Sequence, residues 1–133
     1  MTKFLLLIDV VKLANRVSNI LLHNSFEVIG EPNLDTGFRR IQETKPDFVI
    51  MNITDDQSKN LKLHYQLRTS DNMEILPILM INDKNYKISD KIPGLISTRL
   101  DDYITDPFDL FGPDEFLLRI RYLLDRATSL KQT

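Results

Sequence analysis

Four polar residues, Asp9, Asn52, Asn82 and Asp106, stand at or just past the ends of short apolar runs. Two carboxylates and a carboxamide oxygen are hard ligands of the kind that Mg²⁺ or Ca²⁺ takes, which makes Asp9, Asp106 and Asn52 the candidates for a divalent site. The set is thin, because such sites commonly draw on more carboxylate than two. The competing reading has these acids capping helices or facing water. Asp55 and Asp56, in the loop after Asn52, add oxygens, yet acids in turns need no metal to explain them. Phosphoryl transfer is the other chemistry to weigh. An acyl phosphate requires an ionised carboxylate as nucleophile, and the amide oxygen of Asn52 is a far weaker one. An acid at 106 would also repel a phosphoryl group that an ammonium would hold, an objection that applies equally to Asp55 or Asp56 as substitute acceptors. No catalytic residue is assigned.

Other chemistries are excluded more simply. His23 and His64 are too sparse for a catalytic or metal cluster and read as surface or packing residues. Gly30, Gly37, Gly94 and Gly112 are scattered singly, so no glycine-rich phosphate cradle exists and no nucleotide cofactor is expected. Lysine and arginine number 17 against 19 acids, a formal net charge of -2 that gives no global field for holding nucleic acid. The chain lacks cysteine, which removes disulfides and thiolate metal sites and fits a reducing cytoplasm. The apolar opening, Phe4 to Ile8, is far too short to span a bilayer, and no small-residue cleavage site follows it.

Those residues are held by elements that the apolar pattern predicts. Continuous apolar runs at Phe4 to Ile8, Phe26 to Ile29, Phe48 to Met51, Ile78 to Ile81, and Tyr103 with Ile104 read as strands. Between them lie helical spacings. Leu13, Val17, Ile20 and Leu21 share one face, and Asn33 to Asp35 caps a helix carrying Phe38 and Ile41 inward. Ser58 caps one bearing Leu61 and Tyr65, with Leu63 and Leu67 a turn apart. The fourth helix is expected to be short or broken, since Pro93-Gly94 interrupts whatever Tyr86 to Ile92 begins. The last is the clearest: Pro113 at its start, Asp114 and Glu115 in the first turn, then a stripe of Phe116, Leu117, Ile120, Leu123 and Leu124. Five strands alternating with about five helices predict an α/β fold, a doubly wound parallel sheet covered on both faces in three layers. At 133 residues this is one domain, 1–133. Ligands of such sheets gather beyond the carboxyl ends of the strands, where Asp9, Val10, Asn52, Asn82 and Asp106 fall.

The chain resembles the response-regulator receiver family of two-component signalling over nearly its whole length. The resemblance is carried by Lys45-Pro46-Asp47-Phe48, Leu76-Pro77-Ile78-Leu79 and the run Asp101 to Asp109. A typical receiver has two adjacent acids after the first strand, a phosphoacceptor aspartate after the third, a hydroxyl residue after the fourth and a lysine before the Pro-Phe pair. Here only Asp9 survives, with Val10, Asn52, Asn82 and Asp106 at the other positions. Tyr103 matches the family's switch aromatic. The resemblance thus implies a flavodoxin-like receiver fold without a working phospho-site. The chain is also similar to the second, adaptor receiver of PleD-type diguanylate cyclases. That similarity lies in Val49 to Asn52, Asn60 to Leu63, Leu67-Arg68, Leu76 to Leu79, and the helix Glu115 to Arg126.

What the resemblance implies is a bacterial, cytoplasmic adaptor domain that binds neither nucleic acid nor membrane and works by homodimerisation or by packing against an adjacent receiver or output domain. Candidate contacts are Asp101, Asp102, Arg119, Arg121, Tyr122 and Arg126 on the face of the fifth strand and last helix, and Phe111 in the loop Asp109 to Gly112. The domain is expected not to be an enzyme, although the longer response regulator it belongs to would on this reading make cyclic di-GMP. Two alternatives remain: a receiver of a winged-helix transcriptional regulator, and a stand-alone domain binding a divalent metal through Asp9 and Asp106.

Overall fold

A computed structural model describes residues 1–71, 73–95, 100–105 and 112–132. Five strands form one parallel sheet: β1 (Lys3–Leu7), β2 (Glu27–Gly30), β3 (Phe48–Asn52), β4 (Ile78–Asn82) and β5 (Asp101–Thr105). Their order across the sheet is β2-β1-β3-β4-β5. The helices are α1 (Val11–His23), α2 (Gly37–Thr44, entered through a 3₁₀ turn at Leu34–Thr36), α3 (Gln57–Arg68), α4 (Lys91–Leu95) and α5 (Gly112–Lys131). The doubly wound, three-layer architecture expected from the sequence is the one observed.

Strand alternation divides the core into two halves. Phe4, Leu6, Phe48, Ile50, Leu79, Ile81 and Ile104 point to the face covered by α1 and α5, meeting Leu13, Val17, Leu21, Phe116, Ile120 and Leu123. Leu5, Leu7, Val49, Met51, Ile78 and Met80 point the other way, to Ile41, Leu63, Leu67 and Ile92 of α2, α3 and α4. Strands buried on both faces must be apolar throughout, which is why β1, β3 and β4 read as unbroken runs. On the first face Phe4 stacks on Phe48 and tilts against Phe26, each pair at 4.9 Å between ring centres. Such pairs add about 0.5–1.5 kcal/mol beyond their burial. On the second, α2 and α3 approach closely because residue 37 is glycine: a Cβ there would stand 2.9 Å from Leu7 Cδ1 and 3.0 Å from Leu63 Cδ2.

Two helices depart from expectation. Asp56, not Ser58, caps α3, its carboxylate accepting from the Ser58 N–H at 3.1 Å. The hydrogen bond from the Ser58 hydroxyl, then that from the Ser58 N–H, holds the Asp56 carboxyl below its ordinary range, with Lys59 adding to the effect. The inward stripe of α3 is Asn60, Leu63, His64 and Leu67, and Tyr65 faces water. The fourth helix is short, as expected, but it begins at Lys91, near where the sequence reading had it end. Proline is tolerated in a first turn because the N–H it lacks has no intrahelical acceptor there, so Pro93 sits inside the helix instead of ending it.

Asp101 corrects another expectation. Its carboxylate is only 7% exposed, because alternation along β5 turns it toward α3. Arg68 Nη2 donates to Oδ1 at 2.7 Å, and His64 Nε2 lies 2.9 Å from Oδ2. The same guanidinium reaches the Leu76 carbonyl at 2.8 Å, so a buried ionic knot joins α3 to the starts of β4 and β5. Asp101 is therefore unavailable as a surface contact. Asp102, one residue on, points to the opposite face and pairs with Arg119 of α5 at 3.0 Å. Removing one partner of a buried pair leaves the other charge uncompensated, at about 3–5 kcal/mol, whereas exposed pairs contribute under about 1 kcal/mol. Urea unfolding is expected to show Asp101→Ala losing about 3 kcal/mol and Asp102→Ala less than about 1 kcal/mol.

Candidate functional site

At the carboxyl edge of the sheet the first and third strands end in a reciprocal pair. The Asn52 Nδ2 donates to Asp9 Oδ1 at 2.7 Å, and the Asp9 N–H donates to Asn52 Oδ1 at 3.0 Å. Asn52 is 4% exposed, and a buried carboxamide with both ends satisfied is a stable arrangement. The amide hydrogens thus occupy the side of Asp9 that faces residue 52. With aspartate at 52 the same geometry would set two carboxylates against each other, which a cation could bridge. With asparagine a single carboxylate remains, that of exposed Asp9, and its Oδ1 is already bonded.

Asn60, fully buried on α3, extends this network. Its Nδ2 donates to the Asn52 carbonyl at 3.0 Å, and its Oδ1 accepts from the Thr54 N–H and hydroxyl, both at 3.0 Å. The loop after β3 is therefore pinned from below. Asn82, 1% exposed, is turned the other way: its carboxamide bonds both backbone groups of Tyr86, donating to the carbonyl at 2.8 Å and accepting from the N–H at 3.0 Å. Three asparagines, at 52, 60 and 82, stitch the crevice with carboxamide hydrogen bonds, one of them to the Asp9 carboxylate.

Between the ends of β1 and β3 and the loop after β2 lies an open cavity of about 500 Å³ lined by Asp9, Pro32, Asn33, Leu34, Asp35, Thr54, Asp55, Asp56 and Lys59. Its acids are partly committed: Asp56 to the α3 cap and Asp35 to Lys59 at 3.4 Å. Among the described residues no three histidine, cysteine or acidic side chains converge as metal ligands. Asp106 and Phe111 lie outside the described residues. Val10 caps α1 with its backbone, the Ala14 N–H reaching its carbonyl at 2.9 Å, and its side chain packs on the core. Tyr103 packs partly buried on the α3 and α4 side. Arg121 and Tyr122 are exposed, and Arg126 is half-buried.

Sequence reasoning singled out Asn52 and Asn82 by position, and named Asn60 only as the start of the run Asn60 to Leu63. The missed signal was spacing: Asn60 falls in register with Leu63 and Leu67 on an inward stripe, where a polar residue must have a buried partner. His64 is interior, as one of its two readings had it, and beyond packing its Nε2 lies 2.9 Å from Asp101 Oδ2.

No protein-family model matches the chain. It is 32% identical over 88 residues to the phosphate regulon transcriptional regulatory protein PhoB of Rhizobium meliloti, covering 66% of this chain and 37% of PhoB. Over 107 residues it is 28% identical to the alkaline phosphatase synthesis transcriptional regulatory protein PhoP of Bacillus subtilis, covering 80% of this chain and 42% of PhoP. The chain thus spans roughly two fifths of the curated relatives it matches. Its fold superposes on the chemotaxis protein CheY4 of Vibrio cholerae with a TM-score of 0.75 at 18% identity, covering 92% of this chain and 98% of that one. Strand order, crevice and these likenesses together support a receiver domain of a two-component response regulator. No helix among the described residues is long and apolar enough to cross a membrane.

The Asn52–Asp9 pair makes a direct prediction. Incubated with acetyl phosphate and Mg²⁺, the protein is expected to gain no phosphoryl mass at residue 52. Asn52→Asp is expected to lose about 1 kcal/mol without Mg²⁺, from the donor it gives up. Millimolar Mg²⁺ should restore that loss in the variant and leave the parent's melting temperature unchanged.

Proposed function

We propose that this domain is a receiver that does not switch by phosphorylation and instead serves its response regulator as a contact module. The observation that carries this reading is the Asn52 amide donating to Asp9 at 2.7 Å. The position from which a nucleophilic carboxylate would attack holds a group that cannot attack and is already bonded. A domain with the receiver fold and no phosphoryl chemistry has its surface left to work with.

The surface best suited to contact is the outer face of α5. Leu118 and Tyr122, one turn apart, are 63% and 62% exposed. Around them lie Arg121 and Asp125 and the chain of pairs Glu115–Arg119–Asp102, at 3.4 and 3.0 Å. An apolar pair rimmed by both charge signs is self-complementary across a two-fold axis, which favours a second copy of this domain as partner. This is the adaptor role of the PleD-type second receiver, and a parent enzyme making cyclic di-GMP remains the first reading of the output. A second reading has its own support: both curated relatives are transcriptional regulatory proteins, which favours a DNA-binding output attached to the same domain. The full reading frame separates the two.

Sedimentation over a concentration series tests the contact reading. Self-association is expected, with the same constant in the presence or absence of Mg²⁺ and beryllofluoride. Leu118→Asp should weaken it at least about tenfold, the scale of one interface anchor, without altering the melting temperature. Association that appears only with Mg²⁺ and beryllofluoride would overturn the reading, and a monomer throughout would remove the second copy as partner.

A further inference from the structure

The segment between β4 and α4 carries a feature that the loss of a phospho-site does not account for. From Asp83 to Asp90 the backbone has no helix or strand to bond to, yet four of its polar groups are taken by two carboxamides. Asn82 holds the carbonyl and N–H of Tyr86 at 2.8 and 3.0 Å. Gln57, in the first turn of α3, donates to the Lys87 carbonyl at 2.8 Å and accepts from the Ser89 N–H at 2.7 Å. Asn85, in the turn that Asn82 closes on Tyr86, takes a left-handed φ of 55°, a conformation asparagine tolerates better than most residues. Ser89 in turn starts α4, its carbonyl accepting from the Ile92 N–H at 3.0 Å. Tyr86 and Ile88 pack on the core from the same segment, and Ile92 is fully buried.

We propose that Asn82 and Gln57 form a paired carboxamide latch that fixes residues 83–90, and with them the start of α4, in one conformation independent of any ligand in the crevice. The inference deepens the reading of a non-switching receiver and rests on it. A threonine or serine at 82 has one hydroxyl on a shorter arm. That one oxygen can donate and accept, but from a single atom nearer the backbone, whereas a carboxamide carries donor and acceptor on separate atoms that reach the Tyr86 carbonyl and N–H together. Each clamp meets a different stretch of backbone from a different element, so the loss of one leaves the other in place. The latch gives Asn82 a positive role: it converts the stretch that joins the crevice to α4 into a fixed part of the surface.

Amide hydrogen exchange of the intact chain tests this by residue. The Tyr86 and Ser89 amides are expected to be protected without ligand, and equally so with Mg²⁺ and beryllofluoride. Asn82→Thr should speed exchange at Tyr86 about tenfold while Ser89 stays protected, and Gln57→Ala should do the reverse, since each of these amides donates to one clamp and the net worth of a hydrogen bond corresponds to about a tenfold change. The β1 and β3 amides should not change in either variant, which separates loss of the latch from general destabilisation. Unprotected Tyr86 and Ser89 amides in the parent protein would overturn the latch whatever the variants do, as would variants that exchange like the parent. If protection is present but self-association responds to beryllofluoride, the latch stands and the non-switching reading falls.

Discussion

A parallel sheet closed on both faces by helices leaves its polar business to its edges, and this constraint orders the rest of the molecule. The inner strands β1, β3 and β4 are apolar except at an end residue, Lys3, Asn52 or Asn82, because each face meets a helix layer. Polar side chains that enter the fold must therefore do so at strand ends and arrive with partners. At the carboxyl edge they are Asn52 and Asn82, joined by Asn60 from α3. At the opposite edge they are Asp101, with His64 and Arg68. The two edges are solved differently, with neutral carboxamides at one and an ionic knot at the other.

The ionic knot lies at the starts of β4 and β5, away from the crevice, where its task is to fasten the end of α3 to the sheet. Buried ion pairs are a weak source of net stability but are costly to break singly, so this knot fixes the register of α3 more than it adds to the total. It also withdraws a charge from the surface. Asp101 and Asp102 are adjacent in sequence, and a strand sends adjacent side chains to opposite faces. One becomes interior structure and the other the anchor for Arg119 on α5.

That division shows what could be read in the sequence. The strand runs and the stripes of α1 and α5 were legible because buried strands and amphipathic helices impose unambiguous periods. The register at the start of β5 was not: only Tyr103 and Ile104 read as strand, so nothing in the pattern told Asp101 from Asp102. The cap of α3 was misassigned from Asp56 to Ser58 because two good capping residues stand close together. The start of α4 was hidden for a different reason. Its position is set by Gln57 and Asn82 reaching the backbone across 30 or more residues in one case and four in the other, and periodicity carries no trace of side-chain-to-backbone bonds. Of the crevice, the positions of Asn52 and Asn82 were legible and what their amides hold was not.

A ligand-driven switch requires two conformations close in free energy and a ligand that binds one of them better. Ionic groups supply that condition readily, since carboxylates facing one another are unsatisfied until a cation or a new bond arrives. Carboxamides work against it. Asn52 satisfies Asp9, Asn60 satisfies the loop above it, and Asn82 satisfies Tyr86, all with donors and acceptors built into the chain. Each such bond adds about 1 kcal/mol to one state, and opening it would leave a buried polar group that costs more than the bond was worth. The hydrogen bonds of these three carboxamides all favour the one conformation described, together by several times the thermal energy, which supports the proposal of a domain that presents the same face at all times.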